Sequence, residues 1–244
     1  MGGLAKGLAI LEAFDRENTQ LTVSAAARAS GTTPAAARRC LLTLVEAGYL
    51  SHDGKYFRPT PRVVRLTSAY WSTSTLPTLA QPCLVAVRDE LGESASLAVD
   101  DGVDSLFLAR AESTRIVSAG VRVGATLPLW ASATGRVLLA AMPSARVADI
   151  LERSERFPTT TATIVDNDAL LHRIRQAREC GYAHTDEELE VGVRTIAVPV
   201  IDSSSTVRAA MSVSCFAAQV SMEQLTGPFL DVLRRESARL GKML

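Results

Sequence analysis

The sequence predicts two domains: an N-terminal winged helix-turn-helix, mainly α, followed by an α+β domain whose sheet is mainly antiparallel. Three observations carry that expectation. The first quarter of the 244 residues reads as three helices, with a glycine-containing turn before the third and a short hairpin after it. The rest shows hairpins, then helices, then more strands, rather than the strict alternation of a parallel sheet. Charge divides along the chain as well: residues 1–65 hold nine basic and five acidic side chains, and the remainder holds 17 and 21. The formal net charge of zero therefore hides a surplus of +4 in front and −4 behind. Such a split joins a domain that meets an anion to one that does not.

Leu4, Leu8 and Leu11 recur at helical spacing, and Ile10 and Phe14 extend that apolar face. A second helix starts near Thr22, runs through the alanine-rich residues 24–29 and stops at Gly31. The third begins with Thr33 as N-cap and Pro34 in the first helical position. Ala37, Cys40, Leu41 and Leu44 form its core side. Ala35, Arg39 and Thr43 fall opposite, with Ala36 and Arg38 at the edges, and Gly48 ends the helix. Residues 49–50 and 55–57 are short strands about the Asp53-Gly54 turn. In this arrangement the third helix presents small and basic side chains to a major groove while flanking positives meet phosphates. The candidate DNA contacts are Thr32, Thr33, Ala35, Ala36, Arg38, Arg39 and Thr43, with Lys55 and Arg58 on the wing. A small helical bundle with a solvated arginine pair has a similar composition, but the turn-separated helix pair with its wing favours DNA.

Pro59 and Pro61 close the hairpin, and residues 62–75 read as a linking helix. Its apolar residues Val63, Leu66, Tyr70 and Trp71 suit a subunit contact or packing within the chain. Leu76-Pro77 marks the boundary, so the expected division is 1–60, 61–76 and 77–244. Ala80, Leu84, Val87 and Leu91 then mark a helix stopped by Gly92. Residues 95–99 and 105–109 form a hairpin about Asp101-Gly102, and 116–121 a third strand. A helix begins near residues 132–135 and runs to Met142; others cover 144–153 and 168–180, the last stopped by Gly181. Strands over 195–201 and 208–215 are joined by the polar turn 202–205. A terminal helix over 221–242 is interrupted, or begun anew, at Gly227-Pro228.

With 47% hydrophobic and 21% charged residues, the composition is that of a globular chain. Cys40, Cys83, Cys180 and Cys215 are dispersed, with no C-x-x-C pair and no clustered histidines, which predicts reduced thiols and no metal or cofactor site. No apolar run approaches the roughly 20 residues that span a bilayer. Residues 1–14 lack the segments of an export signal, so the expected location is cytoplasmic, with no membrane partner. A hydrolase is the main rival, with Ser212, His184 and Asp186 as a triad, but no G-x-S-x-G elbow accompanies them. Neither a Walker A nor a dinucleotide fingerprint occurs. A non-DNA-binding interaction module would leave the basic winged segment without a role. The chain is therefore expected not to be an enzyme.

Leu-Ala-Lys-Gly-Leu-Ala-Ile-Leu at 4–11 resembles the opening of IclR-type bacterial transcriptional regulators. So do Leu-Trp-Ala-Ser-Ala-Thr-Gly-Arg-Val-Leu-Leu-Ala at 129–140 and the run from Gly181-Tyr182-Ala183 through Glu187-Glu188 and Gly192 to Ile-Ala-Val-Pro-Val at 196–200. These matches follow in family order over nearly the whole chain. The resemblance implies a winged-helix domain, a linking helix and a GAF-like domain that binds a small-molecule effector. It also implies homodimers or homotetramers acting on paired half-sites of a double-stranded DNA operator. Residues 35–44, together with 109–112 and Arg115-Ile116, are similar to the branch controlling protocatechuate and 4-hydroxybenzoate breakdown. That implies control of catabolic genes by a small organic acid, aromatic acids included. The branch usually has an arginine where this chain has Pro34 and a bulky aromatic where it has Cys40. The first departure bears on the operator, the second on core packing.

On the strand over 208–215, Met211, Val213 and Cys215 point one way and Ser212 and Ser214 the other. Thr195, Ala197 and Pro199 likewise share a side. Taken alone, such a strand reads as a solvent-facing hydroxyl row. The resemblance instead implies that this face lines the effector pocket, at Ile116, Ala119, Leu127, Ala133, Thr134, Thr185, Val193, Thr195, Ser212 and Ser214. Aliphatic walls would hold a ring or chain; hydroxyls and the N–H groups at the helix start near Thr134 would hold a carboxylate. Trp130 borders the pocket and suits either stacking on an aromatic ring or the core. Family members often carry an acidic residue where this chain has Thr185, which bears on ligand choice.

Overall fold

Capped helix starts and glycine stops shape the first of two units, Met1–Ser74. The computed structural model describes residues 2–15, 18–113 and 121–244. Helices α1 (Gly3–Glu12), α2 (Val23–Ala29) and α3 (Pro34–Glu46) are followed by strands β1 (Leu50–His52) and β2 (Phe57–Pro59). The Thr22 hydroxyl caps α2 by accepting from Ala25 N at 3.2 Å, and the Thr33 hydroxyl caps α3 by accepting from Ala36 N at 3.3 Å. Between them Gly31 takes a left-handed φ of 59°, and the N–H groups of Gly31 and Thr32 donate back to the Arg28 and Ala27 carbonyls. This closes α2 and turns the chain into α3. The core holds Ile10, Leu21, Ala26, Ala37, Leu41, Leu50 and Phe57.

The hairpin lies further along the chain than expected, with Leu50 opposite Pro59 and His52 opposite Phe57. Asp53 sets the turn, because its carboxylate accepts from Lys55 N at 3.0 Å and Tyr56 N at 2.8 Å. In α1 only Ile10 is buried, while Leu4 and Leu8 are 80% and 45% exposed. The expected leucine face is corrected for a simple reason. Gly3 and Gly7 leave an open groove between α1 and α3, with no side-chain mass to cover the two leucines. After a 3-10 turn at Pro61–Val63, α4 (Val64–Thr73) buries no residue, and Val64, Leu66, Tyr70 and Trp71 are exposed.

The second unit, Thr75–Leu244, begins just before Leu76-Pro77, because those two residues open α5 (Leu76–Leu91) rather than end a linker. Its strands are β3 (Ser94–Asp101), β4 (Asp104–Ala111), β5 (Thr126–Pro128), β6 (Ala183–Asp186), β7 (Val193–Ile201) and β8 (Val207–Phe216). Among the described residues they form one sheet of order β5-β4-β3-β8-β7-β6, antiparallel throughout. Strands β5 and β6 were not anticipated, and the strand expected at 116–121 falls outside the described residues except for Val121. Helices α6 (Ala133–Ala140), α7 (Ser144–Arg153) and α8 (Asn167–Cys180) lie between β5 and β6 in sequence. The terminal helix is interrupted at Gly227-Pro228, as expected, without the chain leaving its helical course. Short α9 (Met222–Gln224) passes through a π turn at Leu225–Phe229 into α10 (Leu230–Gly241). The wider turn accommodates a proline that has no N–H to donate.

Alternation sorts this sheet into two faces. Ala95, Leu97, Ala109, Ala111, Ile196, Val198, Met211, Val213 and Cys215 pack with Cys83, Leu84 and Val87 of α5 and Leu233 and Leu240 of α10. The other face is covered by α6, whose Val137 and Leu138 share a core with Ala197, Ala210 and residues of α7 and α8. Helix α6 packs tightly on the turn that leads into it from β5. A Cβ on Gly135 would lie 2.3 Å from both the Cα and the carbonyl oxygen of Leu129.

That contact predicts a sharp asymmetry between glycines. Gly135→Ala should destabilise the protein by about 1–3 kcal/mol or more in denaturant unfolding, because backbone cannot yield as a side chain does. Gly227→Ala meets open space and should fall within about 0.5 kcal/mol of the parent. Equal stabilities for the two variants would contradict the packing described.

Candidate ligand site and nucleic-acid interface

Helix α3 presents Ala35, Arg38, Arg39 and Thr43 to solvent, with Thr33 exposed at its N-cap. Among the described residues neither arginine is drawn into an ion pair, since α3 carries no acid before Glu46. Both guanidinium groups therefore remain available to an external anion. Thr32 is half-buried, its hydroxyl 3.0 Å from that of Ser30. One expected contact is corrected. Ala36 is buried, because its position on α3 faces inward toward α1. Arg58 is half-exposed on the wing, bonded to the Asp53 carboxylate and the Gln20 side-chain oxygen. Tyr56 N–H, Arg58 and Lys55 N–H hold the Asp53 carboxyl well below the usual carboxylate range. Lys55 stays exposed, its ammonium 4.9 Å from the centre of the Tyr56 ring.

In the second unit, the hydroxyls predicted on β7 and β8 are not a solvent-facing row. Ser212 and Thr185 are buried, and the Thr195 and Ser214 hydroxyls lie 3.0 Å apart. Register extends them into two transverse rows on the α6 side of the sheet. One runs Thr185, Thr195, Ser214, Ser94; the other runs Ala197, Ser212, Ser96, Arg110. The second row ends on charge, with Arg110 Nη1 donating to Ser96 Oγ at 3.2 Å. Ser94, Ser96, Ser105 and Arg110 are not among the expected lining residues. The same serine alternation is present at 94–96, and reading β3 as its neighbours were read would have found the first two.

The remaining predicted lining residues divide. Val193 opens β7 on the side of Thr195, and Leu127 pairs with Ser105 at the opposite edge. Ala133 and Trp130 belong to the α6 core, so Trp130 acts there as a packed side chain. The Thr134 hydroxyl is occupied in a buried triangle with Ser105 and Ser132, with sides of 3.3, 3.3 and 3.4 Å. Ser132 Oγ also accepts from Gly135 N at 3.0 Å. At this helix start the Thr134 hydroxyl and the Gly135 N–H are thus engaged within the chain. Ile116 and Ala119 lie outside the described residues.

One ion pair fixes the covering helix. Arg136, 1% exposed, donates from Nη1 and Nη2 to the two Glu188 carboxylate oxygens at 3.0 and 2.5 Å, and from Nε to the Trp130 carbonyl at 3.1 Å. The loop that brings Glu188 there contains Glu187 at a left-handed φ of 57°, held by its own carboxylate on Gly192 N at 2.7 Å. The imagined triad is not assembled. His184 pairs with Ile196 on the α5 and α10 side, while Ser212 pairs with Ala197 on the other, and Asp186 is bonded to Arg194. Burial first, and Arg173 second, push the His184 imidazole below its ordinary range. Among the described residues no group of His, Cys, Asp and Glu could hold a metal ion, and no helix is long and apolar enough to cross a membrane.

A winged helix carried on one chain with an α+β domain, whose sheet turns a buried polar face toward a clamped helix, defines a one-component regulator. Comparison with known proteins narrows the class. Residues 3–54 match the model of the IclR helix-turn-helix domain, and 68–240 match that of the C-terminal domain of bacterial IclR transcriptional regulators. The Pca regulon regulatory protein of Pseudomonas putida is 37% identical, over 98% of this chain and 83% of its own. The p-hydroxybenzoate hydroxylase transcriptional activator of Acinetobacter baylyi is 32% identical, over 100% of this chain and 92% of its own. The crystal structure of an IclR homologue from Microbacterium hydrocarbonoxydans complexed with 4-hydroxybenzoate superposes with a TM-score of 0.80 at 26% identity, covering 98% of each chain. The chain belongs to the IclR family of bacterial transcriptional regulators.

Removing either partner of the Arg136–Glu188 pair should cost about 3–5 kcal/mol, because the survivor is left charged and buried. Glu188→Gln and Arg136→Met are therefore expected to be strongly destabilised in denaturant titrations. The double variant Arg136→Met with Glu188→Leu should recover much of the loss, and simple addition of the two single effects would show the pair to be uncoupled.

Proposed function

We propose that this protein senses a small organic acid of the aromatic class and thereby controls transcription of catabolic genes. Its winged helix reads a double-stranded DNA operator through Thr32, Thr33, Ala35, Arg38, Arg39 and Thr43, with Lys55 on the wing. The effector lies against the polar face of the sheet, with Leu127 and Val193 as apolar walls and Thr185, Thr195, Ser212 and Ser214 as hydroxyl partners. The observation that carries this reading is that hydroxyl face. It is buried beneath a clamped helix in a member of a regulator family, and one relative in that family was solved with 4-hydroxybenzoate. The chain performs no catalysis and acts in the cytoplasm. The uncovered Val64, Leu66, Tyr70 and Trp71 of α4 support assembly as a homodimer or homotetramer, which paired operator half-sites require. The effector acts by binding one assembly state more tightly than another, and only that difference can shift the DNA-binding equilibrium.

Two measurements test the two ends of the molecule. Arg39→Ala should weaken operator binding by about 1–3 kcal/mol in a gel-shift titration at fixed salt, with effector binding unchanged. Undiminished DNA affinity would remove α3 from the interface. Ser212→Ala combined with Ser214→Ala should weaken calorimetric effector binding by about 1–3 kcal/mol, given about 0.5–1.5 for each hydrogen bond. An unaltered isotherm in the folded double variant would place the ligand elsewhere.

A further inference from the structure

A separate cavity of about 510 Å³ opens beside the C-terminal end of α6, a volume suited to a small ligand. Alternation along β3 and β8 leads to it. Ser96 and Ser212 are followed on the α6 side by the paired Ala98 and Ala210, which part the hydroxyl rows from what lies beyond. The next residues on that face are Asp100 of β3 and Arg208 of β8. Both line the cavity, together with Leu138 of α6, Met142 just after it, Val207, and Ser205 of the preceding turn.

The two charges are opposite, stand on neighbouring strands, and are not bonded to each other. Asp100 Oδ2 accepts from Arg146, while Oδ1 is buried with no partner among the described residues. The last torsion of an aspartate is broad, so a small turn about it brings the unmet oxygen to a donor in the cavity. Arg208 Nε is 3.8 Å from Asp202 Oδ2, beyond hydrogen-bond reach. Asp202 is meanwhile held by other donors: its Oδ1 accepts from Ser204 N at 2.8 Å, Ser204 Oγ at 2.6 Å and Thr206 N at 3.0 Å. Those bonds fix the turn at the rim and leave the Arg208 fork to an incoming group.

We propose that this cavity binds a free α-amino acid with an apolar side chain, as a second small-molecule site of the C-terminal domain. A simple anion would meet Arg208 but also the Asp100 carboxylate, and a simple cation the reverse. A zwitterion satisfies both. An α-amino acid carries its ammonium and carboxylate on one carbon, which suits opposite charges rising from strands about 4.8 Å apart. The ammonium goes to Asp100 and the carboxylate to Arg208, both through charge-assisted hydrogen bonds. Leu138, Met142 and Val207 then cover the ligand's side chain. The site is independent of where the effector binds.

Calorimetry on the full-length protein with L-leucine, isocaproate and isoamylamine tests this, the last two being leucine without its amine and without its carboxylate. Leucine should bind with a Kd of about 1 mM or tighter. Each analogue should bind roughly 5- to 30-fold more weakly, the range between an exposed ion pair and a charged hydrogen bond. Asp100→Asn should erase the advantage of leucine over isocaproate, and Arg208→Gln its advantage over isoamylamine. Arg208 is 57% exposed, so the second variant carries the test alone if the first does not fold. Absence of leucine binding up to about 10 mM overturns the proposal. Equal affinity for the three compounds also overturns it, as does unchanged leucine affinity in either folded variant, which would put the amino acid elsewhere.

Discussion

The buried bidentate pair between Arg136 and Glu188 is the constraint on which the second unit depends. Its two halves lie 52 positions apart in sequence, one on α6 and one on the loop before β7. An uncompensated charge in that interior would be expensive, so α6 can sit where it does only if the loop delivers its carboxylate. The loop has its own supports. Thr160 Oγ1 donates to the Glu187 carbonyl at 2.7 Å and Thr163 Oγ1 to the Glu188 carbonyl at 2.6 Å, and Glu187 accepts an unfavourable backbone conformation. Strain of this kind persists where the surroundings over-determine it. Here it places one carboxylate, and through it the roof of the polar face.

The sheet then separates stability from recognition by period-2 alternation. Alternate residues of β3, β7 and β8 enter the aliphatic core with α5 and α10, and between them Ser94, Ser96, Thr195, Ser212 and Ser214 carry hydroxyls to the α6 side. A one-residue slip of β8 would exchange Met211 and Val213 for Ser212 and Ser214, filling the core with hydroxyls. Register is therefore enforced by the apolar face and inherited by the polar one. The N-terminal unit makes the same division on a helix. Ala37 and Leu41 anchor α3 in its small core, and Arg38 and Arg39 are held outward by that anchoring.

Much of this was legible in the sequence, because local chemistry decided it. The Thr22 and Thr33 caps, the left-handed stops at Gly31, Gly92 and Gly181, and the alternation of residues 208–215 were all readable and are all present. The misses share a cause. Strands β5 and β6 span three and four residues and exist because neighbouring strands pair with them, so their own composition says little. The bond Arg58 makes on the wing depends on Gln20, 38 positions away, and the occupied Thr134 hydroxyl depends on Ser105. In the site, Ser212 and Ser214 were legible as an alternating pair, but the row that joins them to Ser96 and Arg110 requires the register of three strands. Leu4 and Leu8 were misassigned because helical periodicity records which residues share a face, not whether a neighbour covers that face.

Because Gly135 of α6 meets the backbone of Leu129 in the turn after β5, the way the helix leaves the sheet edge is set by main-chain atoms rather than by side chains. The entry of α6 is therefore a property of the scaffold. The residues that α6 and the sheet turn toward each other, by contrast, are side chains whose exchange leaves that main-chain contact untouched. Placement and chemistry are thus specified separately in this domain.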